Sequence, residues 1–154
     1  MDADVRETFW KAFHSSPLIM MKLNGGGQHA EPMTAQLDKD ARHAVWFFCR
    51  RDNRIAPGGR AEGHVMTRGH EVFACIDGTL VEETDPAVRE KHWNNAVEAW
   101  LPEGKNDPAV MMLRFDIADG EVWTADLGLK GVWKLLTGEP IRPQDAGAHA
   151  VGAV

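Results

Sequence analysis

Apolar residues at the N-terminal end recur at the spacing of one helical face. Val5, Phe9, Ala12 and Phe13 form the stripe, Asp4 and Glu7 resemble a capping pair, and Ser15-Ser16-Pro17 stops the pattern. Strand-like runs follow. Leu18 to Leu23 is apolar apart from Lys22, Asn24-Gly25-Gly26-Gly27 supplies the positive backbone angles of a tight connection, and His29 to Leu37 reads as the antiparallel return. Pro32 lies inside that return and has no N–H to give to a ladder, which places the strand at a sheet edge or a bulge. Asp38 to Arg42 is a polar turn. Ala44 to Cys49 is a continuous apolar and aromatic run of the kind buried on both faces, closed by Arg50-Arg51-Asp52-Asn53-Arg54 and the loop Pro57-Gly58-Gly59.

Glu62 to Met66 and Glu71 to Leu80 predict two more strands, separated by Arg68-Gly69. Asp77-Gly78 reads as a bulge within one long strand, because Thr79-Leu80-Val81 is short for a new one. Asp85-Pro86 opens a long helix with Val88, Trp93, Val97, Trp100 and Leu101 on one apolar face, ended by Pro102 and Gly104. Val110 to Ile117 alternates, and Asp119-Gly120 predicts a hairpin turn into Val122 to Leu127. Gly131 to Thr137 is expected to hold a last helical turn or two, with a loose tail after Gly138. Strands in succession with helices set apart indicate an α+β fold around an antiparallel barrel or sheet. The expected organisation is a single domain over residues 1–140 and a flexible tail over 141–154.

Composition narrows the partners. A chain of 154 residues is most simply one domain that buries roughly two thirds of its unfolded surface. Hydrophobic residues at 44% and charged residues at 26% are ordinary for a soluble globular protein. A net charge of -6 argues against nucleic acid, whose phosphates draw on surplus Lys and Arg. The acidic start Met1-Asp2-Ala3-Asp4 does not read as a signal or transit peptide, and no run approaches membrane-spanning length. Cys49 and Cys75, both in apolar runs, read as buried free thiols of a reducing cytoplasm.

Most catalytic chemistry finds no motif. The seven histidines include no HExxH or CxxC-type arrangement, His64 and His70 fall on separate strands, and scattered surface residues without a metal are expected. Gly58-Gly59 with Gly63 lacks the Gly-Lys-Ser/Thr ending of a phosphate loop, and no GxSxG elbow is present. What remains is the stretch from Glu31 to Arg54. Trp46, Phe47 and Phe48 offer a flat apolar surface, and Arg50, Arg51 and Arg54 offer guanidinium forks suited to phosphate. The same residues also suit a core strand with a solvated end, and periodicity alone favours that plainer account.

The segments EPMTAQ, WFFCRRDNR and GEVWTAD, with WLPEGKNDPAVMML between the last two, resemble the FMN-binding split-barrel proteins related to pyridoxamine 5'-phosphate oxidase, in particular the bacterial general stress protein branch. The resemblance covers roughly residues 7 to 138 and rests on motif order. It implies an antiparallel split β-barrel with flanking helices, and a homodimer with FMN at the subunit interface. Met33, Thr34 and Ala35 would line the flavin from the second strand. Phe48 and Cys49 would stand where relatives have an aromatic-threonine pair. Asn53 and Arg54 would meet the phosphate end, with Ile55 in place of a lysine, and Trp123 would approach the cofactor from the C-terminal hairpin.

Glu31 stands where many relatives have an arginine, and a carboxylate about 4 Å from a phosphate costs on the order of 4 kcal/mol at an effective dielectric near 20. Glu31 is therefore expected to point away or to pair with Arg51, Arg54 or Arg60, leaving the cationic role to the cluster that includes Arg51 and Arg54. The oxidase itself uses a lysine where this chain has Gln36, and an Arg-x-His triplet that is missing after Trp123. The expectation is a flavin-dependent oxidoreductase of unassigned small-molecule substrate, with no side chain assigned as acid or base. Its alternatives are a flavin-sequestering stress protein and a cofactor-free dimer.

Overall fold

The computed structural model describes residues 1–125, 136–138 and 147–154. Helix α1 spans Ala3–Ser15 and buries Val5, Phe9, Trp10 and Phe13. Its cap is Asp2 instead of Asp4: the Asp2 carboxylate accepts from the N–H groups of Asp4 at 2.9 Å and Val5 at 3.4 Å. Asp4 then falls in the first turn, and Glu7 is free to pair with Arg42 across the surface.

Among the described residues, eight strands make up one sheet: β1 (Leu18–Leu23), β2 (Glu31–Thr34), β3 (Gln36–Leu37), β4 (Ala44–Arg50), β5 (Gly59–Met66), β6 (Val72–Glu82), β7 (Val110–Thr124) and β8 (His149–Gly152). The order is β2-β1-β5-β6-β7-β4-β3, with β8 added to β7 and every pairing antiparallel. The two ends of that path, β2 and β3, are consecutive in the chain and separated only by Ala35. The sheet therefore returns to its own beginning, which is the antiparallel split barrel that the resemblance implied. Pro32 sits opposite Met20 on β2, the strand at one end of the path, where its missing N–H costs no ladder bond.

Alternation along β4 divides two cores. Val45, Phe47 and Cys49 point into the barrel with Ile19, Met21, Ile76, Leu80, Leu113 and Phe115, and the apolar face of α1 joins this cluster. Ala44, Trp46 and Phe48 point outward and are covered by residues that include Val97 and Leu101. Both faces of β4 are thus buried, as its unbroken apolar run requires.

The covering segment is two helices where one was expected: α2 (Pro86–His92) and α3 (Asn95–Trp100). Asn94 breaks the pattern, because its side-chain oxygen accepts from the Val97 N–H at 3.0 Å and starts a new helix. Trp100, expected on the buried face, is 84% exposed.

The hairpin at Asp119-Gly120 is replaced by a single 15-residue strand, β7. Gly120 serves packing here instead of a turn: a Cβ would lie 2.5 Å from Val154 Cγ2 and 2.9 Å from Ile76 Cγ2. The expected bulge at Asp77-Gly78 is present, with pairing stepping from Asp77↔Asp119 to Gly78↔Ile117 and passing over Ala118. The end of the chain, expected to be loose, contributes β8 and a buried Val154. Residues 131–135 and Leu127 of the expected C-terminal elements lie outside the described residues. Cys75 is half-buried where full burial was expected, because it lies on the outward face of β6. His64 is not isolated either, since the β5–β6 register sets it opposite Cys75. Among the described residues, no helix is long and apolar enough to cross a membrane.

Candidate functional site

Where β4 ends and the chain crosses between the two edges of the barrel, a cavity of about 440 Å³ opens, within the roughly 300–1,000 Å³ range of small-molecule sites. One wall comes from the β2–β3 segment (Pro32, Met33, Thr34 and Gln36), and the floor from Phe48, Cys49 and Arg50 at the end of β4. Asp52 and Asn53 close the polar end, and Ala96, Val97, Trp100 and Leu101 of the α3 region form the roof, with Leu18 at the rim. The roof is held in place by a polar clamp: the Asn94 amide that caps α3 also donates to Gln36 Oε1 at 3.0 Å, tying the helix start to β3. Phe48 is steadied from behind by an edge-to-face contact with Trp93, with centroids 5.1 Å apart.

The arginine corner is internally neutralised. Arg50 pairs with Glu103 and lies 3.6 Å from Asp52. Arg51 donates to Glu82 at 2.8 Å and to the Pro108 carbonyl at 2.9 Å. Arg54 donates to the His29 carbonyl at 3.0 Å, and its Nε lies 3.3 Å from Glu31 Oε2. Glu31 thus takes one of the partners anticipated for it, while its other oxygen, Oε1, is buried without a hydrogen-bond partner among the described residues. The Asn53 side-chain oxygen accepts from the Ile55 N–H at 2.9 Å, and Ile55 is fully buried in the core. That turn sends the residue after Arg54 inward. The Cys49 thiol is pushed up to about 12, first by burial and then by the Glu31 carboxylate, so it stays protonated at neutral pH.

Of the residues singled out from the sequence, Met33, Thr34, Phe48, Cys49 and Asn53 meet on this cavity. Ala35 is buried behind the wall, in the barrel core. Arg51 and Arg54 stand beside the cavity without lining it. Trp123 lies near the far end of β7, stacked on His149 with centroids 5.3 Å apart and 40% exposed, away from the cavity of its own subunit. Sequence reasoning placed Val97 and Leu101 correctly on a buried face but missed the α3 roof, because Trp100 was assigned to that face as well and is exposed instead. The capping preference of Asn94 was the available signal.

The chain belongs to the pyridoxamine 5'-phosphate oxidase-like family, whose sequence model matches residues 4–139. Within it, the resemblance is to general stress proteins. A general stress protein 26 candidate from Jannaschia sp. CCS1 superposes with a TM-score of 0.85 at 26% identity, covering 99% of this chain and 100% of that one. The general stress FMN/FAD binding protein of Xanthomonas citri gives a TM-score of 0.75 at 38% identity over 83% of this chain and 94% of that one. A general stress family candidate from Xanthomonas campestris pv. campestris gives 0.73 at 39% identity over 82% and 90%. No curated protein matches the chain at a significant level.

Proposed function

We propose that this protein binds a flavin nucleotide, FMN, in the cavity between β2–β3, the end of β4 and α3, and that it works as a homodimeric flavin-dependent oxidoreductase of unassigned substrate. The observation that carries the reading is the meeting of Met33, Thr34, Phe48, Cys49 and Arg50 on one cavity, with Arg51 and Arg54 close beside it. A relative at 38% identity that is itself an FMN/FAD binding protein supports it.

The donor set fits the group in two parts. The apolar wall suits a planar ring system, with Thr34, Gln36 and Asn53 available for its polar edge. At the phosphate end every arginine already has a carboxylate. Arg54 has the loosest such contact, at 3.3 Å against 2.8 Å for Arg51, so it is the guanidinium that turns from Glu31 to an incoming phosphate. A bound flavin would supply the electron transfer, while this chain binds it, orients it and keeps water from it. Cys49, protonated and neutral, contributes shape and no charge.

A second subunit completes the site in this reading. Met66, Phe73 and Trp123 are successive cross-strand partners on the outer face of β5, β6 and β7, and Met66 and Trp123 are exposed at 58% and 40%. An apolar row of this kind suits a second copy, whose own Trp123 would then reach the cavity. Two free thiols accord with a reducing compartment such as the cytoplasm. A non-catalytic, flavin-sequestering role is the second reading, favoured by a cavity lining that, among the described residues, contains no histidine and a cysteine held protonated.

The test is the absorption spectrum of the purified protein before and after adding FMN, with light scattering to give the mass. Stoichiometric binding with a perturbed flavin band in a dimer is expected. Failure of both FMN and FAD to bind in titration refutes the flavin reading, and tight binding by a monomer refutes the shared site. Turnover of NADH or NADPH then separates oxidoreductase from sequestration.

A further inference from the structure

The outer face of β5 and β6 carries a second cluster, none of whose members lines the cavity. Glu62 and His64 are two residues apart on β5 and therefore share a face, and the register sets His64 directly opposite Cys75 of β6. One ligand atom from each of Glu62, His64 and Cys75 lies within 4.8 Å of the other two. His64 Nε2 is already 2.8 Å from Glu62 Oε1, and the His64 side chain is 48% exposed. We propose that Glu62, His64 and Cys75 form a site for a zinc-class divalent transition metal, which leaves a fourth position for an exogenous ligand such as water.

The chemistry of the donors sets the metal class. One thiolate, one imidazole and one carboxylate suit zinc and its neighbours, whereas magnesium and calcium favour all-oxygen sets. A tetrahedral ion with ligands at about 2.0–2.3 Å needs donors ~3.3–3.8 Å apart, so side-chain rotations on a fixed pair of strands suffice to close the cluster. On binding, the Cys75 S–H bond is lost, its proton goes to solvent, and a sulfur–metal bond forms.

The surroundings favour a cation. The Cys75 thiol is pushed up first by burial and then by Glu62, Asp77 and Glu121, and the carboxylates that oppose a bare thiolate stabilise a divalent ion beside it. The present counter-charge for Glu62 is Lys22, 3.8 Å away and 39% exposed, a loose surface pair that is readily displaced.

Cobalt(II) chloride titrated into the chelator-treated full-length protein tests the site, because cobalt reports sulfur ligation by a thiolate-to-metal charge-transfer band. The expected result is a band that saturates at one metal per chain, collapses on adding zinc sulfate, persists in Cys49→Ser and is lost in Cys75→Ser. His64→Gln should weaken or abolish it while leaving the thermal melting of the metal-free protein unchanged, which keeps the test valid if Cys75→Ser folds poorly. No charge-transfer band in the wild type, a band that survives Cys75→Ser, or one lost in Cys49→Ser instead overturns the proposal.

Discussion

Glu31 stands 3.3 Å from Arg54 Nε with its side chain 21% exposed and its second oxygen buried without a hydrogen-bond partner among the described residues, so replacing it with Gln removes a charge while keeping the shape. A phosphate held by Arg54 would lie roughly 5 Å from that carboxylate, where two like unit charges repel by about 3 kcal/mol at an effective dielectric near 20. Solvent reaches the pair from the Arg54 side, which is 42% exposed, and screening reduces the usable effect. The expected gain in FMN affinity for Glu31→Gln is about 1–2 kcal/mol, on the order of tenfold. Arg54→Ala should act in the opposite sense, weakening FMN by about 1.5–3 kcal/mol, the worth of a charge-assisted hydrogen bond. Flavin-fluorescence titrations read both variants, with riboflavin as the control because it has the ring and no phosphate. The Glu31→Gln gain should shrink at high salt and be absent for riboflavin. Equal changes for FMN and riboflavin, or unchanged FMN affinity in both variants, would show that the phosphate lies elsewhere.

His92 gives a pH-dependent stability. Burial first, and then Lys91, hold its imidazole below the ordinary 6.5, with the ring stacked 4.7 Å from Trp46. A base whose folded pKa is lowered stabilises the protein fully above 6.5 and loses that contribution as pH falls toward the lowered value. Denaturant midpoints should therefore drop between neutral and mildly acidic pH in the wild type and drop less in His92→Gln; parallel pH profiles would contradict this. Native thiol labelling without added metal should modify the half-buried Cys75 faster than Cys49, since Cys49 is buried with its thiol pushed up to about 12. Mass spectrometry of the labelled protein locates the adduct, and preferential labelling of Cys49 would refute the assignment. Gly120→Ala should cost about 1–3 kcal/mol by overpacking, because its Cβ meets Val154 and Ile76. Combining it with Val154→Ala should recover part of that loss in thermal melting, and full additivity would place the strain elsewhere.

Much of the fold was legible because its signals are local. The β4 run from Ala44 to Cys49 declared burial on both faces, Pro32 declared an edge, and Asp77-Gly78 declared a bulge, each through a constraint that acts within a few residues. The α2–α3 break was misread since hydrophobic spacing outweighed one capping asparagine. Gly120 was misread for a related reason. Asp-Gly favours a turn locally, and its place in a continuous strand depends on the close approach of Val154 from the end of the chain, which only a glycine admits.

By itself the sequence determined most of the helices and strands up to β7, the α+β class and the residue kinds at the Glu31–Arg54 stretch, with its apolar wall, its arginines and its out-of-place glutamate. Tertiary structure decided which of those residues meet. It took Arg54 to Glu31, turned Ile55 inward, left Trp123 at the far end of β7 and set His64 opposite Cys75. Strand pairing joins residues distant in the chain. A register shift of one residue would send every side chain to the other face, so the partners of a cleft or a cluster are fixed only when the barrel closes.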